Sequence, residues 1–221
     1  MICGAVAAAA GSSSGNSYPD ALASIDFILG SYWHGNNQLT VNDAVELNSN
    51  SVIDASGLYL DSNDPTGVVE IIGAIRTVLN TANYTLVMEW RDLIATGTSF
   101  PLYLSNVADT DYIWIDSQPT TVACYDQLGV GGADRSTIVS GLTARPATRR
   151  VAITRVASKL VLSVNGSAIN SAATSLGALS LDRAAFGGLY DDGYPWRTSY
   201  MRRLIVYSEQ SDAALPGLST V

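Results

Sequence analysis

Residues 149–169 read RRVAITRVASKLVLSVNGSAI, and this stretch decides the fold. Two runs of alternating apolar and polar residues meet near Ala157, Ser158 and Lys159, and a second turn follows at Asn165-Gly166. Period-two alternation turns one face of each run towards a core and the other outward, which is the signature of paired strands. Asn-Gly suits the positive φ angles of a tight type I′ turn.

Working outward from this hairpin, the chain keeps the same character. A small-residue strand is expected around Ala184 to Gly188. A last long strand follows over 198–210, where Met201, Leu204 and Val206 partly alternate. Ser211 then caps a short helical turn within 211–218. On the N-terminal side, strand-like runs occupy 84–92, 99–106, 111–117 and 120–127. In the third of these, Tyr112, Trp114 and Asp116 alternate with Ile113 and Ile115, as in a strand covered on one face. Residues 128–141 are expected to form a long loop. Further upstream, 23–33 carries the first clear strand, with Ile25, Phe27 and Leu29 on one face. Residues 57–67 read as a strand running into a turn at Pro65 and Gly67. Residues 68–80 read as a short β-branched strand followed by one or two helical turns that end near Asn80. Many short strands with turns about every ten residues predict an all-β sandwich or barrel.

Composition agrees with this class. Hydrophobic residues make up 47% of the 221 positions and charged ones 14%, enough for a sizeable core. The net charge of -8 disfavours nucleic acid and anionic membrane as partners. No apolar run approaches the roughly 20 residues that cross a bilayer. Residues 1–21, MICGAVAAAAGSSSGNSYPDA, lack the basic start and the longer apolar stretch of a signal peptide. They are expected to form an extended arm in front of a domain spanning 22–221. An Ala- and Gly-rich arm has little side-chain surface with which to bind its own domain. A neighbouring subunit is therefore expected to hold it through Met1, Ile2, Cys3 and Val6. Cys3 and Cys124 are the only cysteines and the candidate disulfide, within the chain or, through Cys3, between subunits.

The final third resembles the concanavalin A-like jelly roll in its laminin-G-like form. The similar elements are the hairpin ending at the VNG turn, the strand AAFGG (184–188), and the closing strand with its helix, YMRRLIVYSEQSDAALPGL (200–218). YTLVMEWRD (84–92) is also similar to an early sandwich strand of the family. The resemblance implies a β-sandwich of two antiparallel sheets with one or two short helices. It implies no single function, since such domains serve as lectins, adhesion modules, glycan hydrolases and phage virion proteins.

The chemistry of individual residues narrows that range. Glucanases of this fold carry acidic residues at i, i+2 and i+4 on one strand face, and retaining hydrolysis needs two carboxyls about 5–5.5 Å apart. Glu89 and Asp92 are three apart and point to opposite faces of a strand, and no strand repeats the acidic pattern. His34, the single histidine, reads as a loop residue rather than a catalytic base. GVGG (129–132) lacks the lysine and the strand–loop–helix setting of a phosphate loop. The resemblance allows Ca²⁺ in a rim loop. Asp61, Asn63 and Asp64 offer oxygen ligands there, although turns favour Asp and Asn for conformational reasons too. Tyr190, Asp191, Asp192, Tyr194 and Trp196, together with Tyr32 and Trp33, offer aromatic faces beside carboxylates, which suits a glycan; the same tryptophans would also plug the ends of a sandwich. Two readings follow, neither of them an enzyme. One is a structural virion protein (a phage decoration, neck or tail component) that docks through its arm to other virion proteins or to copies of itself. The alternative is an adhesion module that recognises a host glycan through rim-loop aromatics.

Overall fold

The computed structural model describes residues 16–47, 51–60, 68–81, 83–108, 110–129, 134–176, 179–187 and 199–220. In chain order its strands are β1 (Ala23–Asp26), β2 (Ser31–His34), β3 (Asn37–Leu39), β4 (Val45–Glu46), β5 (Val52–Asp54), β6 (Gly57–Leu60), β7 (Val69–Ile71), β8 (Tyr84–Asp92), β9 (Ser99–Ser105), β10 (Tyr112–Gln118), β11 (Thr121–Gln127), β12 (Asp134–Val139), β13 (Thr148–Val156), β14 (Lys159–Val164), β15 (Asn170–Ala172), β16 (Arg183–Phe186) and β17 (Ser199–Tyr207). Two short helices complete it, α1 (Gly73–Leu79) and α2 (Leu215–Leu218).

The strands form two antiparallel sheets packed face to face. The first runs β15-β14-β13-β8-β17-β1-β2-β3, with the β5–β6 hairpin added against β17. The second runs β12-β11-β10-β9-β16-β7-β4. The inner faces meet in one apolar core that includes Trp90, Ile115, Leu104, Phe186 and Leu204. Phe27 and Phe186 meet edge to face across it, with ring centroids 5.6 Å apart. Each such large side chain removed from water contributes about 1.5–3 kcal/mol. The architecture is the all-β jelly-roll sandwich expected from the sequence.

The opening hairpin is confirmed in detail. β13 and β14 pair from Val151↔Val164 to Val156↔Lys159. Asn165 and Gly166 adopt φ of 49° and 75°, the left-handed pair that a type I′ turn requires. The C-terminal helix returns to this hairpin. Ser219 Oγ lies 2.9 Å from Ser163 Oγ and accepts from the Gly166 amide at 3.0 Å. Ser211 does sit at the start of the last helical turns, but its side chain makes no capping bond.

Other expectations are corrected. Residues 23–33 are not one strand. Gly30, at φ 63°, turns the chain so that β1 and β2 form a hairpin, and Leu29 is left exposed in the turn. His34 consequently ends a strand instead of sitting in a loop. The long loop expected over 128–141 contains β12. Its inward positions are Arg135, Thr137 and Val139, and two polar residues out of three hide the alternation. Arg135 is nonetheless buried there. It donates to Asp126 at 2.9 Å, to the carbonyl of Val156 on the opposite sheet and to the carbonyl of Thr174 just after β15.

Within the segment read as the arm, the described part is Asn16 to Ala21. It packs on the sandwich. Asn16 Nδ2 donates to the Gly35 carbonyl, and Tyr18 joins Ala21, Val87, Ile205 and Leu215 in a small apolar cluster on the outer face of the first sheet. Met1, Ile2, Cys3 and Val6 lie outside the described residues.

Candidate aromatic ledge on the second sheet

The second sheet carries a group of rings on its outer face. On β10, Ile113 and Ile115 turn into the core, so Tyr112, Trp114 and Asp116 turn out. Register then fixes the neighbours. Trp114 is opposite Tyr103 of β9 and Tyr125 of β11, so three aromatic residues lie in one row across three strands. Tyr112 adds a fourth ring one step along β10. The Tyr112 and Trp114 centroids are 4.6 Å apart with their planes 18° from parallel. Tyr103 lies 6.5 Å from each of them and is nearly parallel to both. Tyr125 follows 5.1 Å from Trp114, tilted by 42°. Such pairs are worth about 0.5–1.5 kcal/mol beyond burial, so the rings hold one another in place. Tyr103 is buried at the base, while Tyr112, Trp114 and Tyr125 are half-buried and reach the surface.

The polar atoms of this ledge fall into two groups. Tyr112 donates its hydroxyl hydrogen to Gln127 Oε1, and Gln127 Nε2 donates to the Gly129 carbonyl at 3.0 Å. These are spent. By contrast, the Trp114 indole N–H and the Tyr125 hydroxyl have no hydrogen-bond partner among the described residues. Burial pushes the Tyr125 phenol up from its ordinary value, with the Asp116 charge adding to the shift, so it stays protonated and able to donate at neutral pH. Asp116 closes the row. Its Oδ2 accepts from Gln118 Nε2 at 3.2 Å, its Oδ1 has no partner among the described residues, and burial raises its carboxyl above the usual carboxylate range.

The residues singled out from the sequence lie elsewhere. Tyr32 is fully buried in the core, where its hydroxyl accepts from the Ile75 amide at 3.1 Å, so no sugar can stack on it. Trp33 is half-buried on β2, opposite Ser24 and Gln38. Tyr190, Asp191, Asp192, Tyr194 and Trp196 lie outside the described residues, as do Asp61, Asn63 and Asp64. The structure does bring their attachment points together. Leu60 and Ser199, which border the two segments, are register partners at one end of the first sheet. Cys124 is a free thiol with no exposure, pushed well up by burial, so a bridge from Cys3 to this sulfur would have to enter the core.

The carboxylates weighed for hydrolysis serve the fold. Asp92 is buried between the sheets and accepts from Trp90 Nε1, Ser99 Oγ and Ser117 Oγ, with Arg145 at 3.4 Å. Glu89 lies on the opposite face, as its spacing from Asp92 predicts. Asp111 accepts from the amides of Gly129 and Ser180 at 2.9 Å each. The ledge itself went unread as a site. Its outward Tyr112-x-Trp114-x-Asp116 signal is visible in the sequence, but the register that adds Tyr103 and Tyr125 is not.

No family model matches the chain, and no curated protein matches its sequence. Solved structures do match its fold. The CBM40 domain of Ruminococcus gnavus IT-sialidase bound to α2,3 sialyllactose is 16% identical, with a TM-score of 0.57 over 80% of this chain and 98% of that one. The same domain bound to α2,6 sialyllactose gives 15% identity and a TM-score of 0.55 over 65% and 86%. The binding domain of botulinum neurotoxin serotype D/C is 12% identical, with a TM-score of 0.64 over 88% of this chain and 50% of that one. At these identities the likeness is one of fold. Among the described residues, no helix is long and apolar enough to cross a membrane.

Proposed function

We propose that this chain is a non-catalytic carbohydrate-binding module that holds its glycan on the aromatic ledge of β9, β10 and β11. One observation carries the reading. Four rings support one another on an outer sheet face, and two polar handles among them, Trp114 N–H and Tyr125 O–H, have no partner among the described residues. Pyranose rings present apolar C–H faces that pack on aromatic carbons, and hydroxyls that pair with such handles. The named structural neighbours support it, being modules of the same architecture, one of which is bound to sialyllactose in two of its structures. They also shift the balance between the two readings of the sequence. They are a sialidase module and a toxin binding domain, so the adhesion alternative gains over the virion-docking reading, which rests on residues 1–21 and the family resemblance. The two are compatible, since a module on a particle surface can bind host sugars.

Trp114→Ala tests the proposal. Loss of a central aromatic anchor should cost at least about 2 kcal/mol of binding, or about thirtyfold in affinity. A glycan array identifies the ligand and isothermal titration measures the change. A variant that melts as the parent does and binds its glycan unchanged would sink the reading.

A further inference from the structure

The charges around the ledge say which glycans it takes. The outward positions of β9 to β12 are set by register. Those of β11 end in Ala123, Tyr125 and Gln127, and those of β12 are Asp134, Ser136 and Ile138. Among these described positions there are two carboxylates, Asp116 and Asp134, and no lysine or arginine. The one arginine of β12, Arg135, turns inward and is held by Asp126. Behind the sheet, Arg145 is the cation nearest to Asp116 in effect, and it is paired with Asp92 at 3.4 Å. Arg183 of β16 faces outward beside Ser105, two strands from Tyr112, or roughly 10 Å at ordinary strand spacing, and further still from Asp116. Beside Trp114 and Tyr125, the described outward positions of β9 to β12 offer an acidic sugar no cation for its charge and set the carboxylate of Asp116 against it. Asp116 lies only 9% exposed, where its field is less screened than at an open surface.

We propose that the ledge selects uncharged glycan chains and turns away sialylated, uronic and sulfated ones. The inference rests on the glycan-binding reading above and departs from the Ruminococcus gnavus CBM40 domain, which is bound to sialyllactose. Neutral sugars supply what the site uses: C–H faces for the rings of Trp114 and Tyr125, hydroxyl oxygens to accept from the indole N–H, and no charge to be desolvated. An anionic sugar brings a charge that must be stripped of water next to a like charge. Such a juxtaposition costs enough to lower affinity by at least about tenfold.

The test is a glycan array of matched pairs, each neutral chain printed beside its sialylated, uronic or sulfated counterpart. It is probed with the full chain and with Trp114→Ala, Asp116→Asn and Ser136→Arg. Ser136 is exposed and opposite Tyr125, so an arginine there adds a cation to the rim at little risk to folding. The expected result is signal on the neutral members, about tenfold over their acidic twins, that is lost in Trp114→Ala. Asp116→Asn and Ser136→Arg should both narrow that gap by raising the acidic members. Stronger signal on acidic members in the parent would overturn the inference and leave the glycan reading standing. Absence of any signal that Trp114→Ala removes would take down the glycan reading and the inference with it. A Ser136→Arg variant whose selectivity does not move would show that charge is not what the ledge discriminates by.

Discussion

The outer faces of the two sheets each carry a cluster of aromatic or charged side chains, and the two clusters have opposite chemistry. On the first sheet the charged groups around Glu89 are spent on one another. Glu89, almost fully buried, is surrounded by Arg202 at 2.8 Å, Arg203 at 3.3 Å and Arg150 at 3.9 Å, and Arg203 also bonds Asp26 at 2.9 Å. A register shift between Met201 and Arg203 on β17 brings two successive arginines to the same carboxylate, as a bulge does. Beside this network, α2 lays Leu215 over Val87, Ala152, Val161 and Ile205. The Tyr200 hydroxyl donates to Asp54 Oδ2 at 3.3 Å. On the second sheet the rings of the ledge have no such cover from α2, and among the described residues the Trp114 N–H, the Tyr125 O–H and Asp116 Oδ1 lack partners. Residue type alone therefore does not mark a binding surface. What separates the Glu89 network from the ledge is whether the chain has already satisfied the groups there.

The sharpest way to break this contrast is to damage the satisfied face. Glu89→Gln keeps the shape and removes the charge that balances three guanidinium groups. Breaking a fully buried pair costs about 3–5 kcal/mol; because these arginines are partly exposed, a loss of about 2–3 kcal/mol is expected in urea denaturation. Glycan affinity should not change. If it does, the first sheet belongs to the binding surface and the division between faces fails. Trp114→Ala is the mirror experiment, with its roughly thirtyfold loss in affinity and a smaller effect on stability, since the ring is only half-buried.

This division could be read from the sequence only in part. The hairpin of β13 and β14 was legible because its alternation is clean and Asn165-Gly166 admits one turn geometry. Helix α1, capped by Asn80, was legible from the spacing of Ile75 and Leu79. β12 was not, because a buried ion pair put Arg135 on an inward position, where a sequence pattern expects an apolar residue. The hairpin of β1 and β2 was misread as one strand because Ile25 and Phe27 continue the alternation up to a glycine that reverses the chain. The ledge was half legible. Tyr112 and Trp114 announce an aromatic face, but Tyr103 sits in Pro101-Leu102-Tyr103-Leu104-Ser105, where every residue is buried and parity gives no sign of the outward side. Cross-strand register is a property of pairing, and only the assembled sheet aligns Tyr103, Trp114 and Tyr125.

A smaller effect probes the cost of leaving the second face unsatisfied. The Asp116 carboxyl is raised by burial, so the native state holds a proton that the unfolded chain releases at lower pH. Stability should therefore fall as pH climbs through the carboxylate range, and the penalty is absent below the unfolded value of about 3.9. Asp116→Asn removes that penalty. The variant should gain about 1 kcal/mol over the parent at pH 7, because a neutral amide costs less to bury than a carboxylate, with the gain shrinking towards zero near pH 3. Urea melts across that range decide it. A gain independent of pH would mean that packing, rather than the charge, is what Asp116 strains.

The smallest expected effect gives the finest comparison, because it sets one hydroxyl on each face against the other. Tyr125→Phe keeps the ring that packs 5.1 Å from Trp114 and removes only an uncommitted O–H. Folding loses no partner, so the melting temperature should hold. Binding loses one hydrogen bond to the sugar, worth about 1 kcal/mol or about fivefold in affinity. Tyr200→Phe removes a hydroxyl already donated to Asp54, at an exposed position where such a bond contributes little, so affinity should stay as it was. If both variants bind as the parent does, the free hydroxyl of Tyr125 is not a ligand group and the ledge acts through its ring surfaces alone. If Tyr200→Phe is the one that weakens binding, the glycan lies on the first sheet, and the pairing of polar groups on that face does not keep a ligand away.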